Sequence, residues 1–216
     1  MIYILIILIL ILVLAYTLVS KSVVSYNQAG GKGKPEDKKS KLIEGVKFSS
    51  DIDDKLTLNE EYSSKFADLS SKSSWGGNPQ SGYLNYLEAI LPGYYNINAI
   101  VTRGRARSRE WVTRFYIEYW DRYNENWTKY PQIFNANRND RDSVVNQVNI
   151  TTDKLRIFPI KWRRHPSLRI GFVGGKVRFS ECRYYQIKIR KGNKIERQTY
   201  QKRYNQKCLK VSKENY

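Results

Sequence analysis

The chain divides into an apolar start and a long, mostly polar remainder. Residues 1–19 carry no charged side chain, no Gly and no Pro. As a helix, residues 2–19 would extend about 27 Å at about 1.5 Å per residue, close to the hydrocarbon thickness of a bilayer. The run is longer than the core of a secretory signal, and no basic residue precedes it. We therefore expect residues 1–20 to form an uncleaved transmembrane helix that is anchored in a lipid bilayer.

The segment after the apolar run is basic and poor in apolar side chains. Residues 21–47 are rich in Lys, Gly and Ser, which is typical of a flexible linker. Lysines flank the apolar run on this side only, and flanking positive charge favours the cytosolic side of a membrane. We therefore expect the rest of the chain to face the cytosol. Two Asn-x-Thr sequons, at Asn126 and Asn149, would be glycosylation acceptors in the opposite topology.

Between about residues 51 and 174, apolar and polar positions alternate in short segments that are separated by turn residues. The segments are rich in β-branched and aromatic side chains, as strands are. This pattern predicts an all-β sandwich or barrel. The clearest segments are residues 98–102, 112–119, 154–158 and 168–173.

The last part of the chain, residues 176–216, is a basic extension. Two segments with alternating polarity, residues 184–190 and 194–200, flank the turn-like sequence Lys191-Gly192-Asn193. This arrangement predicts a β-hairpin followed by a tail. Because the extension is strongly basic, an acidic partner would suit it.

Composition narrows the classes of function. The chain has 38 Lys or Arg against 20 Asp or Glu, a net charge of +18. This balance favours anionic partners, but no known nucleic-acid-reading motif accompanies it. The sequence also lacks a nucleophile elbow, a phosphate-binding Gly loop and a metal-spaced His/Cys group. We expect a non-enzymatic protein with no cofactor, no metal site and no specific nucleic-acid partner.

Several motifs, in one order and at consistent spacing, carry a resemblance to a known family. Residues 100–105, Ile-Val-Thr-Arg-Gly-Arg, are similar to a strand that ends in "TQGR". Residues 111–119 are similar to "WVTxYxVxYS", and residues 133–139 to an "xFxGNxD" loop. Residues 155–162 and 167–170 are similar to the ending "RYIRIxPxxW…SLRxE". Over roughly residues 50–174 the chain resembles the discoidin family, which is also called the coagulation factor V/VIII C-type domain.

The resemblance implies a fold and a class of function. It implies a discoidin-like jelly-roll β-sandwich, here over residues 48–175, with loops that project from one end. Family members are typically non-enzymatic and bind galactose-type sugars, anionic phospholipid or proteins through those loops. The family often has one Cys before the first strand and one after the last, and this chain has neither. That difference favours a reducing compartment.

Two basic loops supply the candidate binding residues. Clustered guanidinium groups suit carboxylates, phosphates or an acidic protein surface, although a merely solvated basic loop fits the same pattern. Few apolar side chains accompany them, which disfavours insertion of these loops into lipid. Trp111 and Trp120 could instead edge a sugar site. The candidates are Arg103, Arg105, Arg107, Arg109 and Trp111 in the first loop, and Lys161, Arg163 and Arg164 in the second.

Two functions remain open from the sequence. The first is a structural protein whose sandwich docks on a protein assembly, such as a minor capsid protein that tethers a virion's inner membrane to its shell. The alternative is an outward-facing adhesin or receptor that binds glycans or cell surfaces. The expected cytosolic orientation favours the first hypothesis.

Overall fold

The computed structural model describes residues 40–50, 62–79 and 85–209. The expected transmembrane helix at residues 1–20 and most of the expected linker lie outside the described residues. Within the described ranges, no helix is both long and apolar enough to cross a bilayer.

Strands make up nearly half of the described chain and pair in an antiparallel manner. A short 3₁₀ helix, Ser64–Phe66, lies between the second and third strands. The strands are β1 Lys41–Leu42, β2 Lys47–Ser50, β3 Trp75–Gly76, β4 Leu87–Arg103, β5 Trp111–Asp121, β6 Asn126–Lys129, β7 Phe134–Asn135, β8 Val144–Arg163 and β9 Ser167–Lys176.

Two long strands, β4 and β8, bend and take part in both layers of a sandwich. Residues 95–102 of β4 pair with the first half of β8 and with β9, whereas residues 87–90 pair with the second half of β8 and with β2. The register shifts between these two parts of β4, at Pro92, which has no N–H for the ladder. The second half of β8 continues the other layer through β5 to β6. The all-β sandwich prediction is confirmed.

The core lies between the layers and follows the alternation seen in the sequence. On β5, Val112, Phe115 and Ile117 are fully buried, while the residues between them are partly exposed. Burial of such side chains stabilises the fold by about 1.5–3 kcal/mol each. The largest fully buried side chains are Trp75, Phe115, Phe134, Phe172, Leu87, Ile97, Ile100, Ile117, Leu155, Ile157, Leu168 and Ile170.

The end of the predicted linker belongs to the sandwich. Residues of β1 pair with Val173 and Gly174 of β9, and Ile43 donates its N–H to the Phe172 carbonyl at 2.8 Å. Ile43 is only 7% exposed and is part of the core. The linker prediction is therefore wrong for residues 41–47, because β1 and β2 pair with strands of the sandwich and Ile43 gains more from burial than from solvation.

The C-terminal extension is helical, so the predicted β-hairpin is wrong. Helix α1, Glu181–Lys191, and helix α2, Lys194–Tyr204, form a helical hairpin that a π-helical turn, Asn205–Leu209, follows. A disulfide joins Cys182 to Cys208, with their Cα atoms 5.8 Å apart.

Capping groups explain why these two segments are helical. The Ser180 side chain accepts from the N–H of Arg183 and starts α1. Asn193 and Glu196 form a reciprocal capping box that starts α2. Each cap satisfies N–H groups that a helix start leaves open, which outweighs the weak alternation of polarity.

The helical hairpin packs on the turn between β5 and β6. Tyr184 donates its hydroxyl to Glu125 at 2.6 Å, and Lys188 forms an ion pair with the same carboxylate. Lys191 donates to Asn124 at 2.7 Å. The hydrogen bond from Lys188 is the main cause that lowers the pKa of Glu125. Burial is the main cause that raises the pKa of Tyr184, and its hydrogen bond to Glu125 is the next largest. The hairpin is thus attached to this turn through the shared Glu125 carboxylate and through Asn124.

Candidate functional site

Loops that connect the strands gather at one end of the sandwich. We call this the loop end, and it comprises residues 62–79, 104–110, 136–143 and 164–166. Strand register defines it, because Arg103 pairs with Arg169 and Trp111 pairs with Arg163 there. Both loops that the sequence predicted to bind a partner therefore lie at the same end.

Arg169 ties three parts of the loop end together. Its Nε donates to the Gly104 carbonyl at 2.8 Å, its Nη1 to the Ser71 carbonyl at 2.9 Å, and its Nη2 to the Asp140 carbonyl at 3.4 Å. Arg169 is 7% exposed. Burial is the main cause that lowers its pKa, and the charge of Arg103 adds to this effect. The planar, multi-donor guanidinium fixes loops that are far apart in sequence.

Gly104 allows two of these loops to approach closely. A Cβ at this position would lie 2.8 Å from the Cβ of Trp111 and 3.0 Å from the Cα of Asp140. Only glycine fits there without displacing a neighbouring chain. The Gly in the sequence motif at residues 100–105 is thus explained by packing.

Glu110 is the centre of a second network. Its Oε2 accepts from Tyr62 at 3.1 Å, Ser167 at 3.2 Å and Arg105 at 3.3 Å. The Arg105 guanidinium also lies over the Tyr62 ring, 4.5 Å from its centroid. The Tyr62 ring stacks on His165 at 4.2 Å, and burial is the main cause that lowers the pKa of His165. Arg105 therefore supports the loop from within.

The predicted site residues separate into two groups. Arg103 donates to Ser143 at 2.5 Å and, like Arg105, holds neighbouring parts of the loop end together. The side chains that the structure exposes to solvent are Arg107, Arg109, Lys161, Arg163 and Arg164.

Two of the exposed arginines have an unusual backbone. Arg107 and Arg164 adopt left-handed φ values of 56° and 58°. For a non-glycine residue this conformation costs about 1–2 kcal/mol. The surrounding hydrogen bonds therefore stabilise both loops in a conformation that their residues disfavour.

A groove of about 690 Å³ opens at the loop end and brings residues of both predicted loops together. Trp111 and Arg163, both candidate residues from the sequence, line it, while Arg114, Arg138 and Trp162 were not among those candidates. The sequence did contain a signal for these three residues, because all of them lie within the motifs that carry the family resemblance. The complete lining is Trp111, Thr113, Arg114, Asn135, Ala136, Asn137, Arg138, Trp162 and Arg163.

Two groups in the groove lining have unused hydrogen-bonding capacity. Asn137 is 1% exposed, and its amide donates to the carbonyls of Thr102 and Asp142. Its Oδ1 and the Nε of Arg114 have no partner within the described part of the chain. Buried polar atoms of this kind cost free energy unless a partner satisfies them.

Trp111 and Trp120 do not belong to one site. Trp111 lies at the loop end, whereas Trp120 is near the other end of β5, where it pairs with Trp127. The eight residues between them on β5 span about 26 Å or more at about 3.3 Å per residue. Of the two tryptophans considered for sugar stacking, only Trp111 lines the groove.

Comparisons with known sequences support the resemblance to the discoidin family. A sequence profile for the F5/8 type C domain matches residues 47–172. Contactin-associated protein 1 of Rattus norvegicus is 33% identical over 120 residues, which cover 51% of this chain and 8% of that protein. The human protein of the same name is 32% identical over the same length. The match thus spans less than a tenth of these relatives.

Solved structures show the same fold. Discoidin II of Dictyostelium discoideum has a TM-score of 0.56 and 22% identity, over 65% of this chain and 60% of that chain. An F5/8 type C domain from Bacteroides fragilis has a TM-score of 0.52 and 12% identity, over 64% of this chain and 98% of that domain. The profile match covers more than half of the sequence, and the chain belongs to the F5/8 type C, or discoidin, family.

Proposed function

We propose that this protein is a non-catalytic binding protein, held at a membrane by residues 1–20, that docks its loop end on an acidic protein assembly. F5/8 type C domains are generally binding modules without catalytic activity. A minor capsid protein that joins an internal viral membrane to its shell would have this design. One relative is named for its association with contactin.

The proposal rests on one observation, that the loop end has fixed loops and exposed guanidinium groups. Buried hydrogen bonds from Arg169 fix its loops. Exposed Arg163 lines the groove, and exposed Arg107, Arg109 and Arg164 lie in loops at the same end. Because the loops are already ordered, binding costs little conformational entropy. A set of guanidinium groups at fixed positions favours carboxylates of a protein surface, which accept two hydrogen bonds from each guanidinium.

A test uses the full chain in the membranes where it naturally resides. Amine cross-linking with mass spectrometry would report the neighbours of Lys161, which is exposed near the groove. We expect cross-links to one acidic protein, and at least a fivefold loss in the variant Arg107→Glu/Arg109→Glu/Arg164→Glu. The charge-matched control Lys41→Glu/Lys47→Glu/Lys129→Glu changes exposed positions outside both the loop end and the helical hairpin and should keep the cross-links. Equal cross-linking in both variants would refute docking through the loop end.

The membrane anchor is tested separately. Alkaline carbonate should leave the full chain in the pellet, as it does integral membrane proteins. Release into the supernatant would exclude a transmembrane helix at residues 1–20, whatever the loop end binds.

A second candidate is an outward-facing adhesin that binds glycans, and the disulfide favours it. A Cys182–Cys208 bridge is typical of an oxidising compartment, in contrast to the cytosolic orientation expected from charge. Both sequon residues, Asn126 and Asn149, are also exposed. Trp111 in the groove offers a flat face for a sugar ring.

Three measurements decide between these candidates. Glycans on Asn126 or Asn149 in protein made by a eukaryotic cell would establish the outward orientation. Binding on a glycan array that Trp111→Ala abolishes and Trp120→Ala preserves would establish a sugar site in the groove. Free thiols, unmodified sequons and no array signal would favour the protein-docking role.

A further inference from the structure

The helical hairpin lies outside the part of the chain that the family profile matches, and the sandwich does not need it for its core. The profile ends at residue 172, whereas α1 begins at Glu181. In α1 only Tyr185 is buried, and in α2 no residue is buried. The disulfide, the capping box and the attachment to Glu125 nevertheless hold the hairpin in one conformation. A rigid module with almost no core of its own is suited to displaying a surface.

The displayed surface is strongly basic. Residues 177–209 contain ten Lys or Arg and two Glu, a net charge of +8. Both glutamates are used within the hairpin, because Glu181 pairs with Lys207 at 3.0 Å and Glu196 caps α2. Exposed cations of the hairpin include Arg190, Lys194 and Lys202.

One apolar side chain of this basic segment is largely exposed to solvent. Ile195 is 76% exposed, the highest value among the large hydrophobic side chains of the described residues. At about 100° per residue, it shares one face of α2 with Gln198 and Lys202, opposite the face of Tyr200 that contacts α1. Cations around an exposed apolar side chain match a bilayer interface, which offers both anionic headgroups and acyl chains. A nucleic-acid backbone would match the charge but leave Ile195 in water.

Strand connectivity places the hairpin at the end of the sandwich where the N-terminal segment is attached. Lys41 pairs with Gly174, and Val177, at the start of the extension, donates to the Tyr94 carbonyl. Ser40, the first described residue, therefore lies at the end that carries the hairpin, opposite the loop end. A tether to a membrane raises the effective concentration of that end at the bilayer surface.

We propose that the exposed surface of the helical hairpin, which includes Arg190, Lys194, Ile195 and Lys202, binds the anionic surface of the membrane that holds the chain. This inference rests on the proposed membrane anchor. The attraction is electrostatic in large part, so anionic lipid strengthens it and salt weakens it. The hairpin would then fix the sandwich upright with the loop end directed away from the bilayer.

The test compares lysine acetylation in the full chain reconstituted in nanodiscs. One set contains phosphatidylcholine alone, and the other contains phosphatidylcholine with about a third of phosphatidylserine. We expect Lys194 and Lys202 to react at least threefold more slowly in the anionic discs at low salt, and equally in both discs at 0.5 M NaCl. Lys65 and Lys161, at or beside the loop end, are internal controls whose rates should not differ between discs.

The other outcomes would refute either this inference or the proposed membrane anchor on which it rests. Equal rates for Lys194 and Lys202 in both discs would refute headgroup binding. Protection by an added RNA oligonucleotide, with no effect of lipid, would assign the surface to nucleic acid instead. A chain that fails to remain with the discs would refute the membrane anchor, and this failure is visible before any lysine is labelled.

Discussion

Arg169 and Gly104 are 65 positions apart in the sequence, yet the Nε of Arg169 donates to the Gly104 carbonyl oxygen at 2.8 Å. The bond joins β9 to the loop between β4 and β5. Because the same guanidinium also binds the Ser71 carbonyl, a single buried side chain positions several loops. A partner therefore meets a surface that is ordered before binding, which lowers the entropic cost of association.

Replacing Arg169 should loosen the whole loop end. Arg169→Lys keeps the charge but cannot reach three separated carbonyls with one planar group. We expect the free energy of unfolding to fall by about 2–4 kcal/mol, since buried acceptors lose charged donors. Chemical denaturation followed by tryptophan fluorescence measures this change. Arg141→Lys, at an exposed position, is the control, and equal midpoints for the two variants would show that Arg169 is dispensable.

Adding a methyl group at Gly104 should be far more costly than at Gly175. The new Cβ would lie 2.8 Å from the Cβ of Trp111, whereas at Gly175 no heavy atom lies within 4 Å. We expect Gly104→Ala to destabilise the protein by about 1–3 kcal/mol through overpacking. Gly175→Ala should leave the midpoint of thermal unfolding nearly unchanged. A stable Gly104→Ala variant would mean that the loops can separate without cost.

The loop end should lose stability in mild acid because of His165. Burial, the largest effect, lowers the pKa of His165 from its usual 6.5, Arg105 lowers it further, and Glu110 opposes both. The unfolded chain then binds a proton more readily than the folded chain does. The contribution of neutral His165 to the free energy of unfolding is therefore complete above about pH 6.5. It falls as the pH drops from there toward the lower pKa that His165 has in the folded chain.

The variant His165→Gln isolates this effect. Thermal unfolding between pH 5.5 and pH 7.5 should show a steeper fall in Tm for the natural protein than for the variant. Parallel curves would mean that His165 does not contribute to the pH dependence.

Opening the disulfide should release the helical hairpin without unfolding the sandwich. Cys182 and Cys208 are 26 positions apart, and closing a loop of this size stabilises the bridged state by about 3 kcal/mol. In Cys182→Ser/Cys208→Ser we expect faster amide hydrogen exchange in α1 and α2. Exchange in β4 and β8 should stay the same, because neither strand depends on the bridge. Uniformly faster exchange would show that the hairpin supports the whole fold.

The sandwich was predictable from the sequence because the alternation of apolar and polar residues that specifies its strands is local and recurs along the chain. Alternating burial on β5, with Val112, Phe115 and Ile117 inside, is visible as alternating polarity in the sequence. The motif at residues 100–105 also predicted the end of a strand and the loop that follows it, since β4 ends at Arg103. The role of Arg169 was not predictable, because its acceptors are backbone carbonyls 29 to 98 positions away. Nothing in the residue types of Ser71 or Asp140 indicates that their carbonyls are used.

The extension was misjudged because two local signals disagree. Residues 184–190 alternate in polarity as a strand does, but Asn193 and Glu196 have the spacing of a capping box. The cap was the stronger signal, since it satisfies backbone groups directly. For Arg105 the residue type indicated a binding role, but three-dimensional proximity to Glu110 and Tyr62 gives it a supporting one.

The placement of β1 beside β9 has a mechanical consequence. A load applied between Ser40 and a partner held at the loop end is directed along the strands. Antiparallel ladder bonds lie perpendicular to the strands, so such a load shears many of them together instead of opening them one by one. Within the described residues, the pairs Lys41 with Gly174 and Leu42 with Val173, together with the adjacent hydrogen bond from Ile43 to Phe172, connect this segment to β9. Those pairs would yield first and lengthen the attachment, while β4, β8 and β9 keep the loop end intact.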